Sequence, residues 1–264
     1  MQIEANGNNV NYQISGPDDG PVVVLSHSLA CSGAMWAPQL PALEARYRVV
    51  NYDTRGHGRS GAPEGVYDLD QLGDDATALM DALGIETAHW VGLSMGGMIG
   101  QNMALRRPER VRSLALCDTS SRVPAETGPV WEERIAIARG QGMAPLLDTT
   151  LERWFTAPFL AAAEDRVAPI REAILATPPQ GYNGCCEAIR RLDYTDRLGE
   201  IEKPTLILVG EQDQGTPVAA SEVLNAGIAG SKLVILPDAA HLSNIEQAEA
   251  FTGALMGFLG GLDG

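Results

Sequence analysis

The sequence predicts an α/β fold in which a mostly parallel sheet carries helices on both faces. The first observation is that short, continuous apolar runs such as "PVVVLSHS" recur along the chain, as expected of strands buried on both faces. The second is that helical patterns separate most of these runs, and such alternation is typical of parallel sheets. The third is that the alternation fails between residues 120 and 197, where the pattern is helical without a convincing strand.

The predicted elements can be followed in chain order. Residues 10–15 alternate between apolar and polar side chains and end in the turn-rich "GPDDGP", which indicates a hairpin or a short connection. Buried strands follow in "PVVVLSHS", "YRVVNYD", "AHWVGL", "VRSLALCD", "KPTLILVGEQD" and "SKLVILPDAAH". The predicted helices are one capped by Ser32, one over residues 69–83 closed by Gly84, one over 98–107 ended by Pro108, and one over 246–259.

We interpret residues 120–197 as a helical cap inserted over the sheet. No repeat, charge run or low-complexity linker separates this segment from the rest of the sequence. The sequence therefore predicts a single domain with an insertion, in which residues 1–119 and 198–264 form the α/β core and residues 120–197 form the cap.

Composition excludes several classes of partner. The chain carries a formal net charge of -15, whereas nucleic acid and anionic membrane surfaces bind basic patches, so neither is expected as a partner. No apolar run is long enough for a membrane span, and the N-terminus lacks the basic and apolar regions of a signal peptide. The four cysteines show no Cys-x-x-Cys spacing, which favours free thiols in the cytoplasm. These features do not determine the oligomeric state.

The stretch "HWVGLSMGGMIGQ" places one serine between glycines where a strand passes into a helix. Gly92, Ser94 and Gly96 match the Gly-x-Ser-x-Gly nucleophile elbow, whose sharp turn holds the serine out from the sheet. The helix that follows directs its N-terminus at the same place and favours negative charge there. A tight turn with a passive serine is the alternative, but the strand before it and the helix after it favour a nucleophile.

A serine nucleophile needs an oriented base, and His241 is the candidate. It follows the last predicted strand in "PDAAHLSN", at the edge of the sheet where a site would open. His27 ends a strand, His57 lies in a turn-like loop and His89 opens a strand. A hydrogen-bonded structural role is the usual one for isolated histidines of this kind.

Asp213, in "GEQD", is the candidate acid, because the chain order Ser94, Asp213, His241 is the one expected for a nucleophile elbow. Glu211 lies two residues earlier and should still be on the strand. Asp118, at the end of "LALCD", is the competing acid.

Two backbone N–H groups are the candidates for an oxyanion hole, which must face the charge that develops in the transition state. Met95 follows the nucleophile directly, and Leu29 lies in the loop after the strand "PVVVLSHS". Residues 56–61, "GHGRSG", match Gly-x-Gly-x-x-Gly, but the turn sequence "APEG" follows where a dinucleotide site needs a helix. Metal-ligand spacings such as His-Glu-x-x-His do not occur in the sequence, so we expect neither a metal nor an organic cofactor.

Taken together, the motifs "HSLACSGAMW", "YDTRGHGRS", "GLSMGGMIGQ", "GEQD" and "AAHLSN" resemble those of the α/β-hydrolases, and they span nearly the whole chain. The resemblance narrows to the 3-oxoadipate enol-lactonases through longer blocks, two of which, "ERWFTAPF" and "YNGCCEAIRRLD", lie in the predicted cap. Two departures lie beside the site. "HSLA" stands where that family often has "NSLG", and "DQGTPV" where it often has "DPATPV".

The resemblance implies a serine hydrolase that converts 3-oxoadipate enol-lactone, a small anionic lactone, to 3-oxoadipate in bacterial aromatic catabolism. Ser94 would attack the lactone carbonyl while His241 takes its proton and Asp213 holds the imidazole. The enol that is released can become a ketone, which removes the nucleophile that could close the ring again.

Other functions fit the same fold, because a fold alone does not determine the substrate. The chain could be a broad carboxylesterase or a cofactor-free perhydrolase. From another class, it could be a ligand-binding receptor that keeps a hydrolase pocket, or a catalytically dead partner-binding module. The complete set of triad residues weighs against the dead module.

In a chain of this charge, an anionic substrate must meet a local cation. Trp131 and Arg134 lie three residues apart and would share one face of a helix. Trp154 and Arg190 are the further candidates in the predicted cap. The competing interpretation is that cap arginines are solvated or paired with acids such as Glu132, and that the tryptophans are core residues.

Overall fold

Parallel strands form the centre of the sheet in the computed structural model, which describes residues 1–262. The strands are β1 (Gln2–Ala5), β2 (Asn8–Ser15), β3 (Val22–Ser26), β4 (Arg48–Tyr52), β5 (Ala88–Leu93), β6 (Val111–Cys117), β7 (Thr205–Gly210) and β8 (Lys232–Leu236). Their order across the sheet is β1-β2-β4-β3-β5-β6-β7-β8. β2 pairs antiparallel with β1 and with β4, and the other pairings in the described residues are parallel. This sheet confirms the predicted fold class.

Burial explains the central strands and corrects one prediction. Every residue of β5 and β7 is buried, as the continuous apolar runs predict. β8 lies at the edge of the sheet, where it pairs with β7 alone among the described strands and leaves Ile235 43% exposed. The prediction of a fully buried strand in "SKLVILPDAAH" is therefore wrong, because an edge strand has neighbours on one side only.

Ser32 caps a short 3-10 helix, Gly33–Trp36, and an α-helix follows only at Leu40, so the single helix predicted there is wrong. The helix Val218–Gly227 was not predicted. The other predicted helices begin and end close to the predicted positions. The α-helices are α1 (Leu40–Glu44), α2 (Leu69–Ala82), α3 (Met95–Arg106), α4 (Gly128–Gln141), α5 (Leu147–Trp154), α6 (Ala157–Ala162), α7 (Glu164–Ala176), α8 (Pro179–Ile189), α9 (Val218–Gly227), α10 (Ser243–Glu246) and α11 (Ala248–Gly260). α3 begins three residues before the predicted start, because two glycines in its first turn conceal the helical pattern. The predicted final helix is divided into α10 and α11 at Gln247, whose ψ of 50° is not helical.

The segment between β6 and β7 is helical and contains α4 to α8. The two chain segments that enter and leave it pair with each other, since Arg122 and Asp193 form an antiparallel bridge and Val123 N donates to Leu192 O at 3.0 Å. The division of the chain into core and cap at residues 120 and 197 stays a prediction. Residues 263 and 264 of the predicted core range lie outside the described residues. None of the helices in residues 1–262 is long and apolar enough to cross a membrane.

The carboxyl ends of the parallel strands place the candidate residues along one edge of the sheet. The chain leaves β5 into Ser94, β6 into Asp118, and the end of β7 into the turn that holds Asp213. His241 follows β8, and Leu29 follows β3. In an open parallel sheet this edge is where ligands bind.

Candidate active site

The sharp turn between β5 and α3 strains the backbone at Ser94. Its φ of 56° and ψ of -115° put a non-glycine residue in a costly region, which the surroundings must enforce. Ser94 N donates to Cys117 O at 2.8 Å, and Thr119 Oγ1 donates to Ser94 O at 2.8 Å. A Cβ on Gly92 would come within 2.1 Å of Gly96 O, so the turn can close only around glycine. The Gly-x-Ser-x-Gly pattern therefore forms the sharp strand-to-helix turn that the sequence predicts.

His241 and Asp213 form a hydrogen-bonded pair with 2.8 Å between Nδ1 and Oδ2. The other carboxylate oxygen of Asp213 accepts hydrogen bonds from Gly215 N at 2.7 Å and Thr216 N at 3.0 Å, and Thr216 Oγ1 donates to Oδ2 at 2.7 Å. Burial alone would raise the pKa of Asp213, but the adjacent His241 and these donors lower it below its usual range. The ionised carboxylate therefore accepts from Nδ1–H, which leaves Nε2 as the unprotonated nitrogen of the imidazole.

Ser94 and His241 line one cavity of about 430 Å³. Among the described residues the two side chains make no hydrogen bond to each other. Such contacts are often long in unliganded enzymes and tighten when substrate binds. Trp154 lies beside His241, with 6.1 Å between the two ring centroids.

Asp118 is close to this pair but contacts other groups. Its carboxylate accepts a hydrogen bond from Gly210 N at 2.8 Å on one oxygen and from Ser243 Oγ at 2.5 Å on the other. Complete burial, together with the charge of Asp213, raises the pKa of Asp118 well above its usual range. The structure therefore places Asp213 rather than Asp118 against the histidine. Glu211 is exposed.

The two predicted oxyanion donors lie at the cavity. Leu29 lines it, and Met95 is the first residue of α3, directly after Ser94. Within residues 1–262, neither backbone N–H donates to a protein acceptor. Both N–H groups are therefore free to bind a developing oxyanion.

The structure brings three of the four predicted substrate-binding side chains to the cavity. Trp131, Arg134 and Trp154 line it. The guanidinium of Arg134 lies 5.7 Å from the centroid of the Trp131 ring, a cation–π distance that agrees with their shared helical face.

Arg190 does not reach this cavity, which corrects its prediction. It lies beside Trp131 in a separate surface depression, and its guanidinium pairs with Glu187 at 2.7 Å and Glu132 at 3.5 Å. A cation that two carboxylates already neutralise is poorly suited to bind a third.

Sequence reasoning missed Arg153, which lines the cavity beside Trp154. Its Nε is buried without a hydrogen-bond partner, and no ion pair joins it or Arg134 to a carboxylate in the described residues. Burial and the nearby charge of Arg134 lower the pKa of Arg153 to about 10, so the guanidinium stays charged at neutral pH. Its position next to Trp154 in "ERWF" was the one signal available in the sequence.

Comparisons with known proteins agree with this architecture. Residues 21–248 match the family described as the alpha/beta hydrolase fold. The chain is 37% identical over 246 residues to 3-oxoadipate enol-lactonase 2 of Acinetobacter baylyi, which covers 93% of this chain and 91% of the relative. It is 33% identical to RutD of Variovorax paradoxus, a protein named for carbamate hydrolysis, over 95% of this chain and 96% of the relative.

A solved structure gives the same result in three dimensions. The enol-lactonase from Burkholderia xenovorans LB400 superposes with a TM-score of 0.95 at 41% identity, covering 98% of this chain and 99% of that one. This confirms the resemblance to enol-lactonases inferred from the motifs. The chain therefore belongs to the α/β-hydrolase family, whose fold and nucleophile elbow it contains.

Proposed function

We propose that this protein hydrolyses 3-oxoadipate enol-lactone to 3-oxoadipate through an acyl-enzyme on Ser94, in bacterial aromatic catabolism. The observation that carries the proposal is the pair of guanidinium groups, Arg134 and Arg153, which face the cavity beside Ser94 without carboxylate partners among the described residues. Keeping such groups charged and partly buried costs free energy unless an anionic ligand binds there. Similarity to enol-lactonases supports an anionic enol-lactone as that ligand.

The first half of the reaction forms the acyl-enzyme. Ser94 Oγ attacks the lactone carbonyl while His241 Nε2 takes the hydroxyl proton and Asp213 stabilises the imidazolium. The N–H groups of Leu29 and Met95 hold the negative oxygen of the tetrahedral intermediate. The ring C–O bond then breaks, and His241 returns its proton to the departing enol.

The second half releases the product. The tethered enol becomes a ketone, so the group that could attack the acyl-enzyme and restore the lactone is lost. Water then gives a proton to His241 and attacks the acyl carbon, and Ser94 leaves with that proton. The product is a dianion, because ring opening adds a second carboxylate to the one that the lactone already carries.

Carbamate hydrolysis is a second candidate, because RutD is nearly as similar to this chain as the lactonases are. The same nucleophile and oxyanion donors could act on a carbamate carbonyl. A broad esterase remains the third alternative, and it would gain nothing from two unpaired guanidinium groups.

The test compares substrates of different charge on one enzyme preparation. We expect kcat/KM on freshly generated enol-lactone to exceed that on its methyl ester by at least about 30-fold, the value of a 2 kcal/mol charge contact. A neutral aryl acetate and a small carbamate complete the panel, and Ser94→Ala is the control for background hydrolysis. Equal rates on the lactone and its methyl ester would favour the esterase, and a preference for the carbamate would favour the RutD-like activity.

A further inference from the structure

Two buried histidines, His27 and His57, have no part in the reaction described above. Both are completely buried, and neither lines the cavity. His57 belongs to "GHGRSG", which resembles a dinucleotide motif but is not followed by the helix that such a motif needs. His27 is the first residue of "HSLA", where enol-lactonases often have asparagine. Their rings lie 5.3 Å apart between centroids, next to the loop that contains Leu29.

His27 holds the peptide group before Leu29. Its Nδ1 lies 2.7 Å from Ser28 O, and its Nε2 accepts a hydrogen bond from Thr54 N at 2.9 Å. Because a backbone N–H can only donate, Nε2 is the unprotonated nitrogen and Nδ1–H donates to Ser28 O. In a trans peptide the carbonyl and the N–H point in opposite directions, so this bond turns the Leu29 N–H away from His27.

His57 holds the peptide group after Leu29. Its Nε2 accepts a hydrogen bond from Ala30 N at 2.9 Å, and its Nδ1 lies 3.2 Å from Arg55 O. The same reasoning assigns the proton to Nδ1. Each ring therefore connects the loop after β3 to the loop after β4.

The loop after β3, which these rings contact, has a strained backbone at Ala30. Ala30 has a φ of 56°, in the left-handed region where glycine is favoured, and glycine is the usual residue of the related motif "NSLG". A non-glycine residue keeps this conformation only when tertiary contacts enforce it. Burial and the neighbouring His27 lower the pKa of His57 to about 3, and burial lowers the pKa of His27, so both rings stay neutral acceptors in working conditions.

We propose that His27 and His57 are positioning residues for the oxyanion hole: they fix the peptide groups on both sides of Leu29 so that its N–H meets the oxyanion. The proposal rests on the proposed mechanism, in which Leu29 supplies one of the two donors. A donor stabilises a transition state only when its direction is set before the reaction begins. Loss of either ring should therefore slow acylation while leaving the rest of the cavity intact.

The test measures two properties that depend on the oxyanion hole and not on the natural substrate. The first is the acylation rate from the burst of 4-nitrophenolate released from 4-nitrophenyl acetate. The second is the Kd of phenylboronic acid, whose boron accepts Ser94 Oγ and forms a negatively charged tetrahedral adduct. We expect His57→Leu to lower the first and raise the second by about tenfold to a hundredfold, below the 10²–10³-fold cost of deleting a donor.

Conservative variants separate positioning from packing. His57→Gln can keep an acceptor where Nε2 was, and His27→Asn can keep a donor where Nδ1 was, so each should recover most of the loss seen in His57→Leu and His27→Leu. The matched control is His89→Leu, which removes an equally buried histidine of β5 whose Nδ1 lies 2.7 Å from Ser113 Oγ. We expect it to lower the melting temperature and leave acylation within about twofold of wild type.

Three results would overturn the proposal: normal acylation in His57→Leu and His27→Leu, no rescue by Gln or Asn, or an equal loss in His89→Leu. If His57→Leu does not fold, the His27→Leu and His27→Asn pair gives the same decision. If the wild-type protein binds phenylboronic acid normally but does not hydrolyse the enol-lactone, the proposed substrate is wrong and the positioning role of the two histidines still stands.

Discussion

At the residue scale, hydrogen-bond partners distinguish the carboxylate that pairs with His241 from the one that does not. Asp213 accepts from two backbone N–H groups and one hydroxyl in addition to His241, so its charge is well satisfied. Asp118 lies near enough to Asp213 for their charges to interact, but its oxygens accept hydrogen bonds from Gly210 N and Ser243 Oγ. The two carboxylates thus contact different groups, although both follow the end of a strand in the sequence.

The first prediction concerns the triad. Ser94→Ala should reduce turnover by about 10⁶-fold, and Asp213→Asn by about 10⁴-fold, on the scale of other serine hydrolases with a triad. Asp213→Asn is milder because the acid orients the imidazole and does not attack. Steady-state rates on the enol-lactone measure both losses. A Ser94→Ala enzyme with a tenth of wild-type turnover would contradict the acyl-enzyme mechanism.

The second prediction concerns Arg153. Arg153→Ala should lower kcat/KM on the anionic lactone by about 30-fold or more, because a charge contact of about 2 kcal/mol is lost. On the neutral methyl ester the loss should be small, and Arg134→Ala should show the same selectivity. Arg190→Ala is the matched control, since its ion-paired guanidinium lies outside the cavity and its removal should change neither rate. Equal losses on both substrates would exclude Arg153 as the carboxylate anchor.

At the scale of elements, the loops at the carboxyl ends of the strands are joined to one another. Asp118 connects the end of β6 to the end of β7 and to the start of α10. Glu246 accepts hydrogen bonds from Ala240 N at 2.5 Å and from Thr156 N at 2.9 Å, and so connects the His241 loop to the helical segment. Connections of this kind restrict the movement of the loops that carry His241 and Asp213 relative to each other.

The third prediction uses the titration of Asp118. A carboxyl group whose pKa is higher in the folded state binds more protons when folded, so its ionisation makes folding less favourable as pH rises. Asp118→Asn keeps an acceptor for Gly210 N but cannot ionise, and its amide N–H can donate to Ser243 Oγ in place of the hydrogen bond that Ser243 Oγ donates in the wild type. Its stability relative to wild type should therefore increase from pH 5.5 to pH 8, by at most about 1.4 kcal/mol per pH unit. Urea unfolding at the two pH values measures this, and a constant difference would contradict it.

At the scale of the whole molecule, the net charge of the protein is opposite in sign to the arginines that line the cavity. The chain carries -15, whereas the cavity presents Arg134 and Arg153. Long-range repulsion should slow the approach of an anion, and the two arginines act only once the anion is near. We therefore expect any selectivity for a carboxylate to be a local property of the cavity.

The fourth prediction follows from this opposition. Raising the salt concentration from about 10 mM to about 150 mM shortens the Debye length from about 30 Å to about 8 Å and screens the distant charges most. We expect kcat/KM on the enol-lactone to rise by roughly two- to fivefold, and that on a neutral aryl acetate to stay constant. A decrease with added salt would mean that the cavity arginines dominate the field outside the protein.

By itself, the sequence was sufficient for strands β3 to β7, the Gly-x-Ser-x-Gly pattern and the chain order of Ser94, Asp213 and His241, whereas β1 was not predicted. These features are local: burial on both faces produces apolar runs, and a sharp turn requires glycine within two residues of the nucleophile. The edge position of β8 could not be predicted from the sequence, because an apolar run does not indicate how many strands its own strand pairs with.

The tertiary structure alone decided which polar groups meet. Asp118 and Gly210 are 92 residues apart in sequence, and His57 and Ala30 are 27 apart, so their hydrogen bonds exist only once the sheet has formed. Arg153 and Arg190 are both arginines of the helical segment, and only packing determines that one lines the cavity while acids neutralise the other. The sequence thus determined which chemical groups are available and on which elements they lie. Distance and burial, which arise from long-range packing, decided which of them can act together.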